Sequence, residues 1–209
     1  MITTKALARL ALAGDVESSF RFAYRRAFSR EPGKRNLAEA YHWFGIAARK
    51  EHVRAMFYLG TCYDNGMGTK KNRPQAFRWF LRAASHGHVA AQYNVGLMLR
   101  EAVGTDRNPE ESFRWFLAAA KSDDAGALRD LGFAYHEGLG VRKDLVSAAR
   151  CYLRAARIGD AKAAFNLGLC YESGDGVARN VRLARKWFER AAALGLKRAT
   201  QRLRKAAPA

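Results

Sequence analysis

The chain repeats itself every 36 residues, and this period constrains its fold more than any other property. Gly60, Gly96, Gly132 and Gly168 stand at that spacing, as do Ala55, Ala91, Ala127, Ala163 and Ala199. Trp43, Trp79, Trp115, Cys151 and Trp187 recur at the same step, each followed by an aromatic: Phe44, Phe80, Phe116, Tyr152 and Phe188. Behind them run the alanine pairs 47/48, 83/84, 119/120, 155/156 and 191/192. A fixed period of this size means stacked supersecondary units, none able to bury its apolar face alone. It points to an extended binding surface rather than an enclosed reaction site.

One unit, 127–162, shows the construction. Ala127, Leu131, Ala134 and Tyr135 form an apolar stripe at helical period. Gly138 and Gly140 break the helix, and Asp144 offers a side-chain oxygen to cap a second one. Ala148, Cys151, Tyr152, Ala155 and Ala156 make the second stripe, which ends at Gly159. Each unit is therefore an antiparallel pair, helix A then helix B. Asn36 with Glu39, Asn72 with Gln75, and Asn108 with Glu111 have capping-box spacing at the B helices. Ser147 and Leu183 break that pattern in the last two units, which predicts weaker helix starts there. The glycine inside each A helix costs about 1 kcal/mol relative to alanine. Close approach of the B-helix aromatic explains it, and the W/F positions read as core.

The pattern carried by Ala55, Leu59, Gly60, Tyr63, Gly66, Gly68, Ala76, Trp79, Ala83, Ala84 and Gly87 resembles the Sel1-like repeat, a relative of the tetratricopeptide repeat. The resemblance implies an all-α fold, a right-handed αα superhelix of about five 36-residue helix pairs with capping helices. Its A helices would line the concave side. One solenoid domain over 1–209 is expected, with residues 1–18 an N-terminal capping helix and 19–54 a degenerate repeat that has lost the helix A signature. Full repeats would run over 55–90, 91–126, 127–162 and 163–198, with 199–209 a C-terminal cap. Unit 91–126 is the irregular one: Ala102 replaces the first loop glycine, Leu99 the tyrosine and Asp123 the closing glycine.

The formal net charge is +18, unevenly spread. Residues 19–54 carry nine Lys/Arg against three acids, whereas 91–126 carry four against six. Such a balance favours an acidic partner: a protein, nucleic acid or an anionic membrane. No catalytic constellation is readable. The five histidines lack zinc-site spacing, so neither metal nor other cofactor is expected, and His86-x-His88 reads as a solvated turn. The glycine turns at 66/68, 138/140 and 174/176 follow helices and lack the Lys-Ser/Thr of a phosphate loop. Cys62, Cys151 and Cys170 read as core fillers and reduced thiols, which suits a cytoplasmic setting. The N-terminal apolar stretch is short and interrupted by Arg9, so it does not read as a signal peptide.

These readings lead us to expect a non-enzymatic protein-interaction module that binds a peptide or protein partner, acidic to match its charge, in the concave groove. By the resemblance, groove positions include Arg54 and Tyr58, then Tyr93 and Asn94, then Arg129, Asp130 and Phe133, then Lys162 and Asn166. Asn94, Asp130 and Asn166 form a polar ladder suited to an extended peptide. The densest positive cluster is Arg21, Arg25, Arg26, Arg30, Lys34 and Arg35. Carrying the 36-residue register backwards puts Arg21 and Arg25 in the groove near Arg54. Tetratricopeptide clamps grip carboxylates with comparable basic and Asn residues, although Tyr58 and Ala90 stand where such a clamp has Asn and Lys. The alternative is a polyanion or membrane surface made by a B-helix ridge: Arg78, Arg82, Arg114, Arg150, Arg154, Lys186 and Arg190.

Overall fold

The computed structural model describes residues 2–31 and 35–205, the Lys205 side chain excepted. Lys34 of the basic cluster and residues 206–209 of the expected C-terminal cap lie outside the described residues. Every regular element among the described residues is an α-helix. The chain divides into two compact units, Met1–Arg107 and Asn108–Ala209. The N-terminal unit holds α1 (Thr4–Leu12), α2 (Val16–Phe28), α3 (Leu37–Arg49), α4 (Val53–Asn65), α5 (Arg73–Ser85) and α6 (Val89–Glu101). The C-terminal unit holds α7 (Pro109–Ala120), α8 (Ala125–Glu137), α9 (Leu145–Arg157), α10 (Ala161–Ser173), α11 (Val181–Ala193) and α12 (Lys197–Lys205). Within each unit, consecutive helices pack on one another.

The core is narrower than the sequence suggests. Phe44, Phe80, Phe116, Tyr152 and Phe188 are buried, together with the A-helix alanines and most of the B-helix alanine pairs. The tryptophans are not: Trp43, Trp79, Trp115 and Trp187 are only half-buried, and so is Cys151. Helical geometry separates adjacent residues by 100°, so when the second aromatic faces the partner helix the first is turned to the rim. Arg82 and Arg190 lie over the rings of Trp79 and Trp187, 5.5 and 5.6 Å from their centroids. The Trp positions are therefore rim contacts, a correction to the core reading.

The A-helix glycine is explained by its neighbour. A Cβ on Gly168 would lie 2.5 Å from Phe188 Cε1, and one on Gly60 would lie 2.8 Å from Phe80. Alanine there would force the helices apart. The loop glycine has a different duty. Gly176 adopts φ +70°, and a Cβ would come within 1.9 Å of the Leu145 carbonyl oxygen, one repeat earlier. These loops are therefore packed against the preceding B-helix start.

Helix capping departs from the capping-box expectation. Asn36, Asn72, Asp144 and Asn180 each accept the backbone N–H three residues on. Their own N–H groups donate to carbonyls of the preceding A helix, those of Arg26, Tyr63, Tyr135 and Tyr171. Glu39 is thereby freed to pair with Arg26. Because this cap needs no reciprocal side chain, the helices that start near Ser147 and Leu183 keep the same cap bonds as the others. The Arg26 and Tyr63 contacts also locate the irregularity of the first pair. Its A-to-B connection, from Arg26 to Asn36, is one residue longer than that from Tyr63 to Asn72. Helix A of the first pair is present as α2, in a frame shifted by one residue.

Candidate functional site

The shifted frame decides where the basic residues of α2 go. Asp15 and His52 are the N-caps of α2 and α4, so Phe20 is equivalent to Phe57 and Arg21 to Tyr58. The expected 36-residue register is thus off by one here. Even so, Arg21, Arg25 and Arg54 line one cleft of about 430 Å³, with Phe20, Tyr24 and Ile2 among its other walls. Glu17 also faces it. Arg21 Nε donates to Glu17 at 2.5 Å, and Arg25 Nη1 donates to the Ile2 carbonyl at 2.8 Å. The Arg54 guanidinium lies 4.6 Å from the Phe20 ring centroid. Three guanidiniums thus meet one carboxylate over an aromatic floor, which leaves the cleft positive.

Tyr58 lies under this floor rather than in the cleft. Its ring stacks on Phe44 at 5.2 Å and meets Tyr24 and Phe28 edge-on at 5.4 and 5.6 Å. Burial, and then the neighbouring Tyr24 hydroxyl, raise the Tyr58 hydroxyl above its ordinary pKa. Phe20, Tyr24, Phe28 and Glu17 were missed as site residues. Phe20, Tyr24 and Phe28 fall at i, i+4 and i+8, a stripe that the sequence displays once α2 is given its frame.

Histidine has a built role that the turn reading of His88 missed. His52 and His88 are N-caps whose Nδ1 accepts the backbone N–H of Ala55 and Ala91. Each ring also stacks on an aromatic of the preceding A helix, His52 on Phe20 and His88 on Phe57, both at 4.5 Å. With Nδ1 accepting, the neutral ring carries its proton on Nε2, and in His52 that proton points at Glu17, 3.0 Å away. The Glu17 carboxyl is held below its usual value, first by this hydrogen bond and then by Arg21. Burial, and then Arg54, lower the His88 pKa.

One equivalent position in the C-terminal unit uses different chemistry. Arg129 replaces the ring and bonds Asp160, the α10 N-cap, at 2.9 Å and Asp130 at 3.0 Å. Asp130 is buried. Arg129 and Asp130, expected in the groove, are thus engaged within their own helix layer. Phe165, at the position equivalent to Arg129 one repeat on, is buried under Arg198, 4.9 Å from its centroid. Of the remaining positions there, Phe133 and Lys162 are exposed and Asn166 is half-buried. In the N-terminal unit Tyr93 and Asn94 are half-buried on α6.

The B-helix ridge is partly structural as well. Arg154 bonds Asp123 at 2.6 Å and the Ala120 carbonyl at 3.1 Å, and Arg82 pairs with Glu51 at 3.5 Å. Glu51 and Asp123 hold φ +63° and +54°, where later repeats place glycine, so these arginines brace a strained turn. Arg78, Arg114, Arg150 and Lys186 are exposed. Among the described residues, no group of three or more His, Cys, Asp or Glu is placed to hold a metal ion. No described helix is long and apolar enough to cross a membrane.

The repeating helix pair with its paired glycines has a direct counterpart among known families. The Sel1 repeat model matches residues 16–52, 53–88, 89–124, 125–160 and 161–196. The chain belongs to the Sel1 repeat family. The matched frame starts each Sel1 repeat just after the A-helix N-cap and counts 16–52 as a repeat. Comparison with curated proteins finds no match. Among solved structures, c5321, a protective antigen of uropathogenic Escherichia coli with an SLR fold, is similar at 31% identity and a TM-score of 0.91. The alignment covers 95% of this chain but 42% of that one, so this chain spans less than half of it. A Sel1 repeat protein from Oxalobacter formigenes is similar at 29% identity and a TM-score of 0.84, over 95% of this chain and 76% of that one. Helicobacter pylori cysteine rich protein B matches at 27% identity and a TM-score of 0.51, over 63% of this chain and 94% of that one. Sel1 repeats commonly serve as protein–protein interaction modules, a scaffold family that is not typically enzymatic.

Proposed function

We propose that the protein is a non-enzymatic adaptor of the reducing cytoplasm that binds an acidic peptide or protein segment, and that the Arg21/Arg25/Arg54 cleft is where the acidic group docks. The observation that carries this reading is the convergence of three guanidiniums on one aromatic-floored cleft. Guanidinium offers paired donors to planar anions, and a ring beneath it limits its hydration. Tyr93 and Asn94, on α6 of the same unit, are further candidates for contact with the segment, and Phe133, Lys162 and Asn166 are candidates within the C-terminal unit by itself. Three free thiols, all held near pKa 11 by burial, suit a reducing compartment.

The test is titration of an acidic peptide into two variants. Arg21→Ala with Arg25→Ala is expected to weaken binding by about 1–3 kcal/mol, the loss typical of charge-assisted bonds. Arg150→Ala with Lys186→Ala is the control on the ridge and should leave affinity unchanged. Arg154 is avoided because it braces Asp123. If the ridge pair loses the ligand while the cleft pair keeps it, the polyanion reading replaces this one. A steep linear fall of log affinity with log salt would mark that outcome.

A further inference from the structure

A second cleft, of about 790 Å³, adjoins the first and shares Ile2, Tyr24 and Arg25 with it. Its distinguishing wall is Phe28, at the end of α2, which is 43% exposed, while Tyr24 is 39% exposed. The two rings touch each other at 4.8 Å and are fixed from behind by Tyr58, so they form a rigid apolar ledge open to solvent. Ile2, 48% exposed, faces the same space. A contiguous apolar patch framed by charge, here Arg25, Arg26 and Arg30 with Glu31 as the one carboxylate among the described lining, is a contact surface rather than a solvated one. Arg25 forms the wall common to both clefts, oriented by its bond to the Ile2 carbonyl. On the other side of that wall stands Arg54, which no carboxylate pairs with among the described residues.

We infer that the N-terminal unit selects segments in which a carboxylate side chain stands within two positions of a large apolar one. The carboxylate is taken by Arg54 and Arg21, and the apolar side chain lies on the Tyr24–Phe28 ledge. An extended segment advances about 3.3 Å per residue and turns alternate side chains to the same face, so adjoining clefts on one surface are served by side chains two positions apart. This inference rests on the acidic-ligand reading above and narrows it.

The test is selection of random seven-residue peptides displayed on phage against the full chain and against Phe28→Ala. Against the parent, enriched sequences should carry Asp or Glu within two positions of Phe, Tyr, Trp, Leu or Met. Against Phe28→Ala the acidic residues should persist while the apolar preference disappears. A synthetic peptide from the parent pool should lose about tenfold in affinity for the variant, and its alanine-substituted form should lose nothing. Ile2→Ser, outside any helix, gives the same readout without touching α2. Enrichment of acidic residues with no apolar preference would overturn this inference and leave the acidic-groove reading standing. Enrichment without acidic residues, or no enrichment, would overturn both.

Discussion

The two compact units solve one register position in opposite ways. In the first two repeats of the N-terminal unit the A-helix residue is a phenylalanine, and the N-cap of the following A helix is a histidine stacked on it: Phe20 with His52 and Phe57 with His88. In the C-terminal unit Arg129 meets the N-cap Asp160 as an ion pair. The stack leaves nearby guanidiniums unspent, so Arg54 can line a cleft. The ion pair uses its guanidinium up, and Asp130 takes what remains. A residue at the same position in a repeat thus decides whether nearby guanidiniums are engaged in packing or left to line a cleft.

The core beneath these rungs is common to both units, which supplies the baseline. Phe80→Ala and Phe188→Ala should each cost about 3–5 kcal/mol in denaturant melts, because both rings are buried against a glycine. Trp187→Ala, at the rim, should cost about 1–2 kcal/mol less than its neighbour. Equal costs for Trp187 and Phe188 would return the tryptophans to the core.

The rungs themselves should differ. Asp160→Ala removes the cap on Ala163 and strips a partner from a half-buried Arg129, at a cost of about 2–4 kcal/mol. His88→Ala removes a cap and a stack, and should cost about 1–2 kcal/mol. If the histidine proves the costlier, the account of the ion-paired rung fails.

Acid separates the rungs further. Burial first, and then Arg54, lower the His88 pKa in the folded chain from its ordinary 6.5. The unfolded chain therefore binds the proton more readily. The stabilisation is complete above pH 6.5 and is lost as pH falls through the folded value. Protonation also removes the lone pair that caps Ala91 and adds positive charge at a helix N-terminus. His88→Asp keeps a cap and should flatten the stability profile between about pH 7 and 5, which urea melts at each pH will measure. The same variant brings a carboxylate near Arg54 and should weaken an acidic peptide about threefold, a loss of well under 1 kcal/mol. An undiminished pH slope would remove His88 from this account.

The smallest expected difference concerns the thiols. All three should be counted in denaturant, and in the folded chain half-buried Cys151 should react before buried Cys62 and Cys170. A count of one would show a disulfide that the packing model does not contain.

Period and punctuation made the helix pairs legible from the sequence, because glycine and alanine recur only where backbones must approach. The same signal misled at Trp43, Trp79, Trp115 and Trp187, since recurrence marks a contact without saying whether it is at the centre or the rim. The Arg21/Arg25/Arg54 cleft was anticipated from charge density, although the register used to reach it was off by one residue. The extra residue lies between Arg26 and Asn36, a stretch that carries Gly33 alone rather than the glycine pair that marks most later connections. Nothing in the sequence distinguishes a histidine that caps and stacks from one in a solvated turn, since both follow a helix end. The partnership of Arg129 with Asp160 spans 31 positions and emerges only once the helices are stacked.

The loop glycine has a consequence for how such a chain can change in length. Gly68, Gly104, Gly140 and Gly176 each abut a carbonyl 31 residues earlier: those of Leu37, Arg73, Pro109 and Leu145. An inserted or deleted residue anywhere between the two would slide the loop off its seat while leaving the local helices intact. Length variation is therefore quantised. The chain can gain or lose whole repeats, whereas a single-residue change between such a glycine and its carbonyl is disfavoured; the first A-to-B connection, one residue longer than the next, is where one has been accepted.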